Sequence, residues 1–397
     1  MTGTGMRPSE CVVDLDAIRH NVTTLRGDDG AQVCVVVKAD AYGHGAVPVA
    51  RAACEAGASW LAVALVEEAL VLRQAGITAP ILLLSEPPVT AAKAVCEAAL
   101  TPFVYSPAFI DALNSEAQAC HTTVAVHLKL DTGMGRVGVT ERELQSVLSH
   151  LAAATSLHVD GIATHLARSD EDDPAAKRET LRQLDQFATL LSRVRAADFQ
   201  PTWLHAANTA AALRYPTARA LQFPGRTPTT LLRCGIGVYG LSPSVDVDAA
   251  ANRLRPALSL RSAVSFVKHV TATTPVSYGH RWRAPKDGFV ATVPIGYADG
   301  VPRGLTNRAT VLVNGRQLPV VGTVTMDQLM VWSGDTPVAV DDPVILIGTA
   351  DALTVRVEEW AQTLGTITYE IASQLTSRLP RRYEGLSPAG SVSETLR

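Results

Sequence analysis

Short runs of valine, isoleucine and leucine recur through the first 240 residues, separated by stretches whose apolar positions follow the helical repeat. Eight runs read as strands: QVCVVVKA (32–39), SWLAVAL (59–65), PILLLS (80–85), TPFVYS (101–106), VAVHLKLDT (124–132), LHVDGIATHL (157–166), TWLHAAN (202–208) and LLRCGIGVYG (231–240). Several are apolar almost throughout rather than alternating, as strands covered on both faces must be. Between them, VPVARAACEAG, FIDALNSEAQAC and TERELQSVLSHLAAA carry helical spacing, with Ser106-Pro107 and Thr140 standing where helices are predicted to open. Eight alternating strand–helix units predict an α/β chain whose residues 1–245 form a (β/α)8 TIM-type barrel.

After about residue 245 the texture changes. LSLRSAVSFVKHVTAT, GFVATVPIGYA, ATVLVNGRQLPVVG and PVILIG read as strands, and Asn314-Gly315 predicts a type I′ hairpin turn. One helix is predicted, within VRVEEWAQTLG (355–365). Residues 246–384 are therefore expected to form a mostly-β C-terminal domain, followed by a flexible tail over 385–397.

Composition agrees with two sizeable cores. The chain has 397 residues, 47% hydrophobic and 18% charged, which excludes a disordered chain. Its net charge of −3 comes without a clustered basic patch, so a nucleic-acid partner is not expected. No apolar run reaches the length of a membrane helix, and MTGTGMRPSE lacks the pattern of a secretory signal. The six cysteines are scattered without a CxxC pair, so neither a disulfide framework nor a metal site is expected. A cytoplasmic setting follows as an expectation.

The chemistry collects at predicted strand ends. Lys38 closes the first run, where a barrel exposes its active site, and burial would leave its amine neutral and nucleophilic. An isolated lysine there would simply snorkel to solvent, but Tyr42 and three residues of GHG follow at once. In KLDTGMGRVG the glycines allow a tight loop that turns Arg136 back towards the mouth, a fork suited to a carboxylate. His165, His205 and Asn208 end two further runs, and Thr209 opens a short helix whose N–H groups suit an anion. Core histidines and an ordinary N-cap would account for each of these separately. Arg233 inside an apolar strand needs a partner, and Gly235-Ile236-Gly237 offers backbone N–H groups to a phosphate. Together these features suggest a barrel holding a phosphorylated aldehyde cofactor on Lys38.

The stretches VVVKADAYGHG, KLDTGMGRVG, THLARSDE, HAANTAA, LRCGIGVYGL, PVSYGHRW, VPIGYADG, GTVTMDQLMV and TYEIASQLTSRLPR, in that order, resemble the alanine racemase family from about residue 10 to about residue 384. The resemblance implies a pyridoxal 5'-phosphate enzyme of fold type III and a head-to-tail homodimer with shared active sites. It also implies a small amino-acid substrate and a supply of D-alanine for peptidoglycan precursors. It implies Lys38 as cofactor anchor and one base, and Tyr278 as the opposite base, delivered by the other subunit. Tyr42, Asn208, Thr209, Gly235, Ile236 and Tyr369 would surround the cofactor phosphate. Arg233, oriented by His205, would face the pyridine nitrogen, with His165 flanking the ring. Arg136 and the backbone N–H of Met326 would take the substrate carboxylate, with Tyr297, Arg303 and Asp327 at the entrance. In the family the lysine matching Lys129 is often carbamylated to hold the arginine; pairing with Asp131 or a turn to solvent stays open as the alternative.

Where the family usually has serine, phenylalanine, a small pair and cysteine, this chain has Thr209, Leu166, Arg168-Ser169 and Thr325. None of these departures removes a catalytic group, but Leu166 and Arg168 leave the substrate open between alanine and serine or a specialised amino acid of secondary metabolism. A decarboxylase on the same architecture would need acidic and cysteine motifs in the second domain that are absent. A non-enzymatic cofactor-homeostasis protein would match the barrel alone.

Overall fold

The computed structural model describes residues 6–386; residues 387–397, most of the expected tail, lie outside the described residues. The first strand, β1 (Glu10–Asp14), is not among the predicted elements. Eight parallel strands then close a barrel: β2 (Gln32–Val36), β3 (Trp60–Val63), β4 (Ile81–Leu83), β5 (Thr101–Val104), β6 (Val124–Lys129), β7 (Leu157–Ala163), β8 (Trp203–His205) and β9 (Thr229–Cys234). Each lies inside or overlaps a predicted run and stops short of its end. β9 pairs back onto β2, with Cys34 opposite Arg233, to complete the closure. Buried apolar side chains fill these strands, as in β3, where all positions are buried.

Helix starts follow local chemistry. Ser106 accepts a hydrogen bond from the Phe109 N–H ahead of Pro107, so the predicted start holds. Thr140 does not open a helix. Its hydroxyl donates to Glu143 and its N–H does the same, a local ring that delays the helix to Leu144–Ala153. The longest helix, Pro174–Ala196, opens on Asp173, which accepts from the Ala175 and Ala176 N–H groups.

Two compact units divide the chain, one of residues 18–41 and 46–255, the other of residues up to 17, 42–45 and from 256 onwards. The expected cut after residue 245 is corrected on both sides. Residues 246–255 stay with the barrel because Asn21 accepts from the Arg255 N–H and donates to the Arg255 and Val238 carbonyls. β1 belongs to the other unit because its backbone pairs with strands there.

That second unit is mostly β, as expected. Its strands are β10 (Leu258–Ala263), β11 (Phe266–Val270), β12 (Pro275–Val276), β13 (Trp282–Arg283), β14 (Gly288–Val293), β15 (Thr310–Val313), β16 (Arg316–Val321), β17 (Leu329–Gly334), β18 (Pro343–Ala350), β19 (Leu353–Val355) and β20 (Arg381–Glu384). The main sheet runs β11-β14-β17-β16-β15-β18-β10-β1-β20. β1 is antiparallel to β10 and parallel to β20, with Cys11 opposite Leu260 and Arg381. Asn314 and Gly315 both have positive φ, 49° and 68°, which makes the predicted hairpin between β15 and β16. The predicted helix spans Val357–Leu364, and TYEIAS adds an unforeseen one at Thr368–Ser373.

An ion pair ties this unit together. The fully buried Asp299 accepts from Arg7 at 3.0 and 2.7 Å and from the Gly296 N–H at 3.0 Å. Asp299→Ala leaves these donors unmatched and is expected to cost roughly 3 kcal/mol, the low end for a broken buried pair because Arg7 is partly exposed. A lowered urea midpoint for the β-rich unit would show this; an unchanged midpoint would contradict it.

Candidate active site

The barrel strands deliver their functional side chains at their C-terminal ends, beginning with the turn after β2. Residues Lys38–Gly43 make one helical turn of left-handed sense. Ala39, Asp40, Ala41 and Tyr42 all have φ between 51° and 54°, a conformation that costs non-glycine residues about 1–2 kcal/mol each. Lys38 therefore opens this turn rather than closing the strand. The turn is held by hydrogen bonds from the Ala39 N–H to Glu68 Oε1 at 2.6 Å and from the Ala46 N–H to Asp40 at 2.7 Å. Burial and the Arg136 charge lower the Lys38 pKa, while Glu68 opposes them.

Arg136 is exposed on the loop after β6 and has no hydrogen-bond or ion-pair partner among the described residues. The loop folds on Asp131, whose carboxylate accepts from the Gly133, Met134 and Gly135 N–H groups. Asp131 is thereby occupied, and Lys129 Nζ donates instead to the Leu130 carbonyl at 3.0 Å. Lys129 is also buried rather than turned to solvent, and no ion pair joins it to Asp131 among the described residues, although the Asp131 charge acts on it. Burial and the Arg233 charge push its pKa down to about 7.

Arg233 is buried on β9 without a carboxylate. Its Nη1 donates to His205 Nδ1 and to the His205 carbonyl, both at 3.0 Å. Its Nη2 donates to the Thr164 and Ala206 carbonyls and to His165 Nδ1 at 3.1 Å. Because arginine only donates, both imidazoles must present a bare Nδ1 and carry their proton on Nε2. His205 Nε2–H then donates to His127 Nδ1 at 2.9 Å, which fixes the third imidazole in turn. Burial and the Arg233 charge hold His165 and His205 well below the usual histidine pKa, and push His127 down to about 3. Gly161 on β7 makes room for this stack, since a Cβ there would lie 2.6 Å from the His127 ring.

At the end of β8, Asn208 Oδ1 accepts from the Ala211 N–H and the Ser169 hydroxyl, so its oxygen serves as an N-cap. Thr209 opens the helix Thr209–Arg214 as predicted, and its hydroxyl accepts from Gly235 at 3.1 Å and Gly237 at 3.4 Å. Ile236 between them is fully buried. The Gly235 and Gly237 N–H groups thus meet the Thr209 hydroxyl, which clusters these residues at the barrel end.

In the β-rich unit, the Tyr42 and Tyr369 rings lie 5.9 Å apart at 50°. Elsewhere in it Tyr278, Tyr297, Arg303, Met326 and Asp327 line a cleft of about 710 Å³. Tyr278 is 74% exposed on a loop whose Ser277 and His280 have positive φ. Two bonds pin that loop, from Ser277 to the Thr323 carbonyl and from Thr323 to the Tyr278 carbonyl, each at 2.7 Å. Asp327 accepts from Arg378 at 2.7 Å.

The barrel end thus concentrates Lys38, Lys129, Arg136 and Arg233; burial first, and then the Arg136 charge, lowers the pKa of Lys38 and Arg233, while burial and the Arg233 and Arg136 charges lower that of Lys129. Such a surplus of cations suits an anionic ligand. Three supporting residues escaped sequence reasoning. Glu68 reads only as an acidic residue in a first helical turn, and His127 as one polar residue in an apolar strand. Gln183 did leave a signal, a polar residue on the apolar stripe of Pro174–Ala196; it donates to the His165 carbonyl and accepts from the Ala167 N–H.

Known proteins share this architecture along nearly the whole chain. The family model of the alanine racemase N-terminal domain matches residues 13–243, and that of the C-terminal domain residues 257–383. The alanine racemase of Symbiobacterium thermophilum is 42% identical over 383 residues, covering 96% of this chain and 98% of its own. The crystal structure of alanine racemase from D-cycloserine-producing Streptomyces lavendulae superposes with a TM-score of 0.89 at 36% identity, covering 97% of this chain and 99% of its own. At 28% identity, a histidine racemase from Leuconostoc mesenteroides superposes with a TM-score of 0.84, covering 97% and 100%. The chain belongs to the alanine racemase family and is an amino-acid racemase, an isomerase.

Proposed function

We propose that this enzyme interconverts L- and D-alanine with pyridoxal 5'-phosphate, using Lys38 and Tyr278 as bases on opposite faces. The observation behind this reading is Arg233, a buried cation that meets only carbonyls and bare imidazole nitrogens. A donor-only group of that kind suits a pyridine nitrogen kept unprotonated. The cluster of Thr209, Gly235 and Ile236, beside the Asn208 cap, would hold the phosphate. Lys38 would anchor the aldehyde, and His165 would flank the ring. When bound, the cofactor supplies the electron withdrawal that makes the substrate Cα–H acidic.

This chain's residues do the rest. Lys38 Nζ removes the Cα proton of the D-isomer, and Tyr278 Oη returns a proton to the other face; the reverse direction exchanges these roles. His165, protonated at Nε2, can only donate from that atom, so it stabilises charge and does not compete as a base. Arg136 and the Met326 N–H hold the substrate carboxylate, while Tyr297, Arg303 and Asp327 border the entrance. The site is completed in a homodimer, each barrel taking Tyr278 from the partner. In the cytoplasm the product would feed cell-wall precursors.

Racemisation of serine or another amino acid is the second reading, favoured by the likeness to a histidine racemase. Two features weigh for alanine. Leu166 is buried, and Arg168 is engaged by Glu171 and Asp173, so neither departure adds a free polar group beside His165. Chiral assays on alanine, serine and histidine decide the matter; a preference for either of the latter two would overturn the alanine assignment.

Lys129 offers a separate test. Burial and the Arg233 and Arg136 charges, opposed by Asp131, push its pKa down to about 7. Carbon dioxide adds to the neutral amine, so carbamylation of Lys129 is expected to rise as pH increases through about 7. The resulting anion would hold the Arg136 fork. Lys129→Ala should lose roughly tenfold or more in activity and regain part of it with chloride or short carboxylates. Full activity in this variant would reject the role.

A further inference from the structure

Four successive non-glycine residues in a left-handed turn persist only where their surroundings over-determine them. One side chain does so from the neighbouring strand end. Glu68 lies in the first turn of the helix Val66–Gln74. Its Oε2 accepts from the Ala64 N–H at 2.8 Å and the Leu65 N–H at 3.1 Å, the backbone just beyond β3. Its Oε1 accepts from the Ala39 N–H at 2.6 Å, the residue just beyond Lys38. β2 and β3 are parallel neighbours, and the Val37 N–H donates to the Ala62 carbonyl at 2.8 Å. The carboxylate continues that ladder past the point where backbone pairing stops.

We propose that Glu68 is a positioning residue for Lys38, its carboxylate fastening the left-handed turn that carries the lysine. The proposal rests on the reading of Lys38 as cofactor anchor. Charge-assisted bonds to three N–H groups are the strong kind; the one from Ala39 fixes the backbone just after the Lys38 Cα, and those from Ala64 and Leu65 anchor it to the end of β3. The same charge counters the burial and the Arg136 cation that lower the Lys38 pKa. Glu86 provides an internal control. Its carboxylate also accepts from three groups, the Tyr105 and Ser106 N–H groups and the Ser106 hydroxyl, but at the ends of β4 and β5 and not on the turn that carries Lys38.

The test compares Glu68→Ala, Glu68→Gln and Glu86→Gln holoenzymes with wild type. Glu68→Ala should slow cofactor capture by Lys38 and lower kcat, each roughly tenfold, with KM for alanine nearly unchanged. Glu68→Gln keeps one acceptor oxygen, which can serve Ala39, but sets its NH2 against the Ala64 and Leu65 N–H groups. It should recover part of the capture rate while moving the pH midpoint of the lysine-bound cofactor's visible absorbance down by about one pH unit. Glu86→Gln should leave capture, kcat and midpoint alone. If both Glu68 variants behave like Glu86→Gln, the proposal fails. If wild type forms no adduct on Lys38, the cofactor reading fails first and takes the proposal with it.

Discussion

Lys38→Ala is expected to abolish racemisation, by at least about 10⁴-fold, the upper range for loss of one proton-transfer group. The expected loss is large because two functions end together. The amine proposed to anchor the cofactor disappears, and so does the proposed base on the D-side. The pKa of Lys38 is lowered by burial and by Arg136, so a neutral amine forms at lower pH than on an exposed lysine. Activity carried by that amine should rise with pH through its depressed pKa and then level off. Borohydride reduction followed by peptide mass measurement should locate the trapped adduct on Lys38 in wild type and nowhere in the variant. An adduct surviving on another lysine would move the site.

Tyr278→Phe should cost about 10²–10⁴-fold, with a signature that ordinary structural damage cannot imitate. The equilibrium between enantiomers is fixed, so kcat/KM must fall equally in both directions. Solvent hydrogen exchange at Cα need not fall equally. L-Alanine should stop exchanging with deuterated solvent, because its proton faces the missing hydroxyl. D-Alanine should continue to exchange through Lys38. Equal, small effects on both isomers would contradict two separate bases. Mixing inactive Lys38→Ala and Tyr278→Phe chains should restore up to about a quarter of wild-type activity, since half of random dimers are mixed and each mixed dimer has one intact site. No recovery after proven subunit exchange would rule out the shared site.

The barrel was legible because its strands are buried on both faces and so read as unbroken apolar runs, as QVCVV and WLAV do. The chemistry at their ends was legible as residue types out of place, a lysine or an arginine closing such a run. Backbone geometry was not. The stretch ADAY contains no glycine, and nothing in its composition announces four positive φ values, because the conformation is imposed by partners such as Glu68. Thr140 misled for the converse reason: its bonds to Glu143 satisfy locally what a helix start would have used. β1 was missed because five residues, ECVVD, carry too little pattern alone and acquire their role only between β10 and β20.

That placement has a consequence for the order of assembly. β1 lies beside β20 in register from Cys11 opposite Arg381 to Asp14 opposite Glu384, about 370 residues apart in sequence. During synthesis at roughly 5–20 residues per second, β1 leaves the ribosome about 20–70 s before its parallel partner exists. Through that interval all eight barrel strands are made, while β1 has an unpaired edge on the side that β20 will cover. A nascent chain arrested between residues 263 and 381 therefore presents a finished set of barrel strands together with an open sheet edge. Such stalled chains are expected to be prone to aggregation and to chaperone capture.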